Sequence, residues 1–89
     1  MITFDPTKRD VTFRDRGLDF RTAESVFTGP SFSFLDQRRD YGEDRIVTVG
    51  RFDSRMVMIV WTPRGEDRHV LSMRKANDRE QARYAHLLR

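Results

Sequence analysis

Two arginines, a histidine, a serine and a lysine crowd the stretch Arg68-His69-Val70-Leu71-Ser72-Met73-Arg74-Lys75, and Tyr84 follows nine residues later. These residue types suit phosphate chemistry. Guanidinium groups bind phosphate oxygens through two parallel hydrogen bonds. Histidine, with an ordinary pKa of about 6.5, can take or give a proton near neutrality. A strand of period two sends Arg68, Val70, Ser72 and Arg74 to one side and His69, Leu71 and Met73 to the other. Ser72 and Arg74, followed by Lys75 and a helix start near residues 77–78, compose an anion site on that reading. The competing reading makes Arg68 and Arg74 solvated strand ends paired with Glu66 or Asp78, since such surface pairs are common and weak. His69 and Arg74 can serve one site only if a bulge or a strand end intervenes. His86 falls in a C-terminal turn and receives no role.

The elements that must position these groups follow from pattern. Ile2-Thr3-Phe4 is a short strand candidate, and Asp5-Pro6 marks the start of a helix that stops at Gly17. Only Val11 and Phe13 give that helix an apolar face, so it is expected on the surface. A second helix is capped by Asp19 and buries Phe20, Ala23, Val26 and Phe27. Ser31–Asp36 alternates as a half-buried strand with Phe32 and Phe34 on one side. Three strands follow at short spacing, over 45–52, 55–62 and 68–74, with turns at Asp53-Ser54 and in residues 63–67. Asn77 to Glu80 has capping-box spacing for a last helix, although Asn replaces the usual Ser or Thr. Together these elements predict an α+β domain over 1–89. It has an antiparallel sheet of four to five strands, two N-terminal helices and one C-terminal helix.

Composition narrows the function. The 89 residues are 37% hydrophobic and 35% charged, and ten aromatics argue against disorder. No apolar run approaches the roughly 18 residues needed to span a bilayer, and the start lacks a signal-peptide pattern. The absence of cysteine rules out disulfides and thiolate metal sites, and makes cytoplasmic residence the default expectation. The two histidines and the scattered carboxylates show no metal-ligand spacing, so neither metal nor cofactor is expected. The net charge of +3 lies wholly in residues 64–89, because the preceding residues balance. Basic residues gathered at one end are the footprint of nucleic-acid contact. Any catalysis must then run on Arg, Lys, His and Tyr.

Several segments, taken together, resemble the BrnT family of type II toxin–antitoxin toxins. They are ITFDPTK, RGLDFRTAESVF, DYGEDRIVTVG, RMVMIVWTPRG and RHVLSMRKANDREQARY, and the resemblance is collinear over nearly the whole chain. The family's F-x-x-D-P-x-K opening corresponds to Ile2–Lys8, with Ile2 at the Phe position and Phe4 two places later. Its R-G joint corresponds to Arg16-Gly17, its I-S-x-R-x-A run to Leu71–Ala76, and its E-x-x-x-Y pair to Glu80 and Tyr84. This chain departs from many members in having Arg16 where they have His and His69 where they have Arg. The resemblance implies a RelE-like fold and an endoribonuclease that arrests translation by cutting RNA. It also implies a BrnA-like ribbon-helix-helix antitoxin, through which alone operator DNA is bound. On that basis the expected catalytic set is Lys8, Arg16, His69, Ser72, Arg74 and Tyr84. The expected RNA-backbone contacts are Arg68, Lys75, Arg79 and Arg83. The rival class is a non-catalytic module that grips nucleic acid or an acidic partner with the same basic end.

Overall fold

Asp5 begins the first helix as the sequence requires: its carboxylate accepts from the Thr7 amide at 2.8 Å, and Pro6 occupies the first turn. The computed structural model, which describes residues 1–38 and 40–88, gives helix α1 over Pro6–Arg16. Arg39 lies outside the described residues, as does Arg89, a member of the basic terminal group. α1 ends at Gly17, whose φ of 71° is a left-handed conformation that costs glycine little. None of its residues is buried, as the thin apolar face predicts. The second helix starts as a 3₁₀ turn, Phe20–Thr22, capped by Asp19, and continues as α2, Ala23–Thr28.

Five strands make one sheet: β1 Ile2–Phe4, β2 Ser31–Leu35, β3 Ile46–Phe52, β4 Arg55–Arg64 and β5 Asp67–Lys75. Their order is β1-β5-β4-β3-β2. β1 runs parallel to β5 while every other pairing is antiparallel, so the α+β sheet is mixed rather than wholly antiparallel. Two tight turns hold the central hairpins. Asp53 and Ser54, at φ 52° and 64°, match the twist of β3 and β4 as a type I′ turn does. Gly65, at φ 61°, opens the Gly65-Glu66 turn between β4 and β5. The last helix, α3 Asp78–Tyr84, is capped by Asn77 and continues as a 3₁₀ turn over Ala85–Leu88.

Each sheet face is covered by its own apolar layer. On one face Leu18, Phe20, Ala23 and Val26 pack on Val57, Ile59, Val70 and Met73. On the other, Ala76 and Leu88 pack on Val47, Val49, Met56 and Met58. α2 approaches β3 so closely that a Cβ on Gly50 would sit 2.6 Å from Val26 Cγ1.

The alternation expected for β5 fails at one residue. Val60 of β4 pairs with Ser72 and Trp61 with Val70, which leaves Leu71 as an extra residue on β5. That bulge inverts the phase of the strand. Val70 and Met73, three residues apart, both reach the α2-side core. The grouping of Arg68 with Ser72 and Arg74 is therefore corrected. Arg68 and Lys75 belong to the α2 side, whereas His69, Ser72 and Arg74 share the opposite face.

Candidate active site

The face that carries His69, Ser72 and Arg74 is flanked by α1 on the β5 side and by α3 on the β2 side. β1 pairs only with residues 68–70 of β5, so the next stretch of that edge needs another partner. α1 supplies it: Arg16 Nη1 donates to the Met73 carbonyl at 3.0 Å. Arg16 is thus partly engaged in covering a sheet edge, which a lone Arg-Gly joint in the sequence could not indicate. Lys8 and Arg16 of α1 line a shallow hollow with Asp5, Thr7, Val11, Thr12, Leu71 and Ser72.

Across Ser72 lies a cleft of about 260 Å³. Its floor is Val47, Met58 and Val60, and its walls are Phe34, Arg38, Ser72, Arg74, Glu80 and Tyr84. Ser72 lines both hollows. In β4 register it lies two positions from His69 and two from Arg74, or about 7 Å each way at the usual strand rise. A group seated over Ser72 is within side-chain reach of both.

Arg74 does not pair with Glu66 or Asp78. Its Nη1 and Nη2 donate to Glu80 Oε1 and Oε2, each at 2.7 Å. Glu80 Oε1 also accepts from the Asn77 amide at 2.9 Å, while Asn77 Oδ1 accepts from the Glu80 amide at 2.8 Å. The expected anion site at this helix start is therefore occupied by the protein's own capping box. The Arg74 hydrogen bonds hold the Glu80 carboxyl down at about 2. Two of the five N–H groups of Arg74 serve Glu80, and the side chain remains 44% exposed. The carboxylate orients the guanidinium and leaves part of it for a ligand.

His69 is half-buried, and its Nδ1 lies 2.8 Å from Thr3 Oγ1. Burial, reinforced by Arg64 and Lys8, pushes its imidazole below the ordinary 6.5. The ring is consequently neutral at pH 7, the form that accepts a proton. Tyr84 packs at 5.2 Å against Phe32 and at 6.0 Å against Phe34, between ring centroids. These contacts fix its ring on the cleft wall one helical turn beyond Glu80.

The remaining basic residues are divided. Arg68 lies over the rings of Phe27, at 4.4 Å, and Trp61, at 5.5 Å, on the opposite face. Lys75 is exposed at the end of β5 and also shares that opposite face. Arg79 and Arg83 are exposed on α3 beside the cleft, with Arg83 over the Tyr84 ring at 5.9 Å. Arg38 was not among the sequence candidates. Its loop, residues 36–45, carries no periodic signal that would aim a side chain at the cleft. Among the described residues, no group of three or more His, Cys, Asp or Glu side chains is placed to hold a metal ion.

A family model described as the ribonuclease toxin BrnT of type II toxin–antitoxin systems matches residues 4–80. The chain belongs to the BrnT family. A search of curated proteins finds no significant match. The BrnT match includes Lys8, Arg16, Arg38, His69, Ser72, Arg74 and Glu80 and stops short of Arg83 and Tyr84. A BrnT toxin has an RNA target and an antitoxin partner by family membership. No helix among the described residues is long and apolar enough to cross a membrane.

Proposed function

We propose that residues 1–89 form a single toxin domain, a metal-independent endoribonuclease whose cleavage of RNA inhibits translation in the cytoplasm. The observation that carries this reading is the Leu71 bulge, which gathers His69, Ser72 and Arg74 on one face. The scissile phosphate sits over Ser72, whose hydroxyl orients a non-bridging oxygen. Arg74 stabilises the negative charge that grows on the phosphorane, with Lys8 and Arg16 as the α1-side cations. Neutral His69 takes the proton from the attacking 2′-hydroxyl, and the Tyr84 hydroxyl gives one to the departing 5′-oxygen. The new bond joins the 2′-oxygen to phosphorus as the bond to the 5′-oxygen breaks. The products are a 2′,3′-cyclic phosphate and a 5′-hydroxyl. Of the carboxylates lining the two hollows that meet at Ser72, Glu80 is committed to Arg74 and Asp5 caps α1 through the Thr7 amide. That leaves cations, a hydroxyl, an imidazole and a phenol to act on the phosphate. Arg79 and Arg83 hold the flanking backbone; Arg68 and Lys75 can contact only RNA that passes round the sheet edge.

The antitoxin of this reading is BrnA-like, a ribbon-helix-helix protein that binds operator DNA and neutralises the toxin by covering the Arg74 face. The test is cleavage of an unstructured RNA by the purified chain with excess chelator. The reading expects undiminished cleavage and cyclic-phosphate ends. Cleavage that stops with chelator, or leaves 3′-hydroxyl ends, would overturn it. Binding without cleavage would favour the rival non-catalytic module.

A further inference from the structure

A second guanidinium faces the same cleft. Arg38 Nε and Nη2 donate to Asp36 Oδ1 and Oδ2, each at 2.8 Å. The Asp36 side chain is only 3% exposed, whereas that of Arg38 is 79% exposed. The Arg38 hydrogen bonds hold this carboxyl down at about 2. An exposed arginine in a polar loop ordinarily samples many rotamers; here a buried carboxylate fixes one fork at the cleft rim. Arg38 and Arg74 line the same cleft. Each retains N–H groups beyond those given to its carboxylate. Beside them Phe34 is 38% exposed and belongs to a three-ring cluster in which it packs on Tyr84 and Phe32, themselves in contact.

We infer that this rim of the cleft is a nucleotide subsite, with a phosphate held between Arg38 and Arg74 and the attached base stacked on Phe34. Two convergent guanidiniums supply what a phosphodiester needs, and an exposed ring supplies a face for any base. The inference rests on the ribonuclease reading and extends it: the substrate is single-stranded there, because a base paired in a duplex cannot present its face to Phe34.

The test measures binding of the full chain to a 2′-O-methyl oligonucleotide, which lacks the attacking hydroxyl, over a range of salt concentrations. Arg38→Gln keeps a neutral donor for Asp36 and should lower affinity roughly tenfold. It should also flatten the slope of log Kd against log salt by about 0.7, the share of one contact to a single-stranded phosphate. Arg38→Lys should restore the slope but not the full affinity, since ammonium lacks the fork. Phe34→Ala should lower affinity roughly tenfold for the oligonucleotide and leave binding of an abasic sugar–phosphate chain unchanged. An unchanged slope in folded Arg38→Gln, or equal losses on both ligands in Phe34→Ala, would overturn the subsite. Cleavage of unmodified RNA by the wild type is scored in parallel, so failure of the subsite and failure of the ribonuclease reading are separate results.

Discussion

Replacing Glu80 with Gln separates the two jobs of that side chain. Glutamine can still accept from the Asn77 amide, as in a capping box, but it cannot form the ion pair with Arg74. A carboxyl held at about 2 instead of its ordinary 4.5 is stabilised in its ionised form by at most about 3 kcal/mol. Arg74 is 44% exposed, and solvent screening reduces that figure to about 1–2 kcal/mol. The folded-state pKa is depressed, so the stabilisation is fully present above the unfolded value of about 4.5 and disappears as pH falls through about 2. Urea unfolding of both proteins at pH 7, 4 and 2.5 measures the difference. The wild type will itself weaken in acid, because Asp36 and Asp19 are also held low by arginines; subtracting the variant removes that shared loss. Glu80→Gln should cost about 1–2 kcal/mol at pH 7, and most of the gap should close by pH 2.5. Equal stabilities at pH 7, or a gap independent of pH, would refute the reasoning.

Other outcomes follow from particular contacts. Gly50→Ala should destabilise by about 1–3 kcal/mol in urea, because its Cβ meets Val26 within the core. Since burial lowers the His69 pKa, the acid limb of the cleavage rate should fall below pH 6.5, and His69→Ala should remove that limb while preserving the fold. NMR titration of the imidazole checks the direction independently. Arg79→Ala with Arg83→Ala should flatten the salt slope of RNA binding by about 1.4, with a thermal midpoint close to wild type.

The elements were legible because local chemistry and tertiary packing agree. Asp5-Pro6 and Gly17 bound α1, the Phe20, Ala23 and Val26 stripe is buried, and Asn77 with Glu80 forms the box that its spacing implies. The parallel pairing of β1 with β5 was not legible, because three residues carry no record of direction. Nor was the Leu71 bulge. The sequence 68–74 alternates plausibly in either phase, and the choice is made by packing, since Val70 and Met73 both enter one core. That single residue changes which charges share a face, so His69 joins Ser72 and Arg74 while Arg68 leaves them; Lys75, adjacent to Arg74, lies on the other face in either phase. Arg38 escaped notice for a different reason. Its direction depends on a buried carboxylate two residues earlier, and nothing in a polar loop marks Asp36 as buried.

The central claim is that Arg74 faces the reacting phosphate over Ser72, and single-turnover cleavage of RNA by folded Arg74→Ala tests it most directly. The variant should remain folded, because Glu80 keeps its bond to the Asn77 amide. Circular dichroism and the thermal midpoint establish that first. Loss of a cation aimed at developing charge predicts a fall in rate of at least about a hundredfold, and loss of growth arrest when the chain is expressed alone. A folded Arg74→Ala protein that cleaves RNA at the wild-type rate would contradict the account.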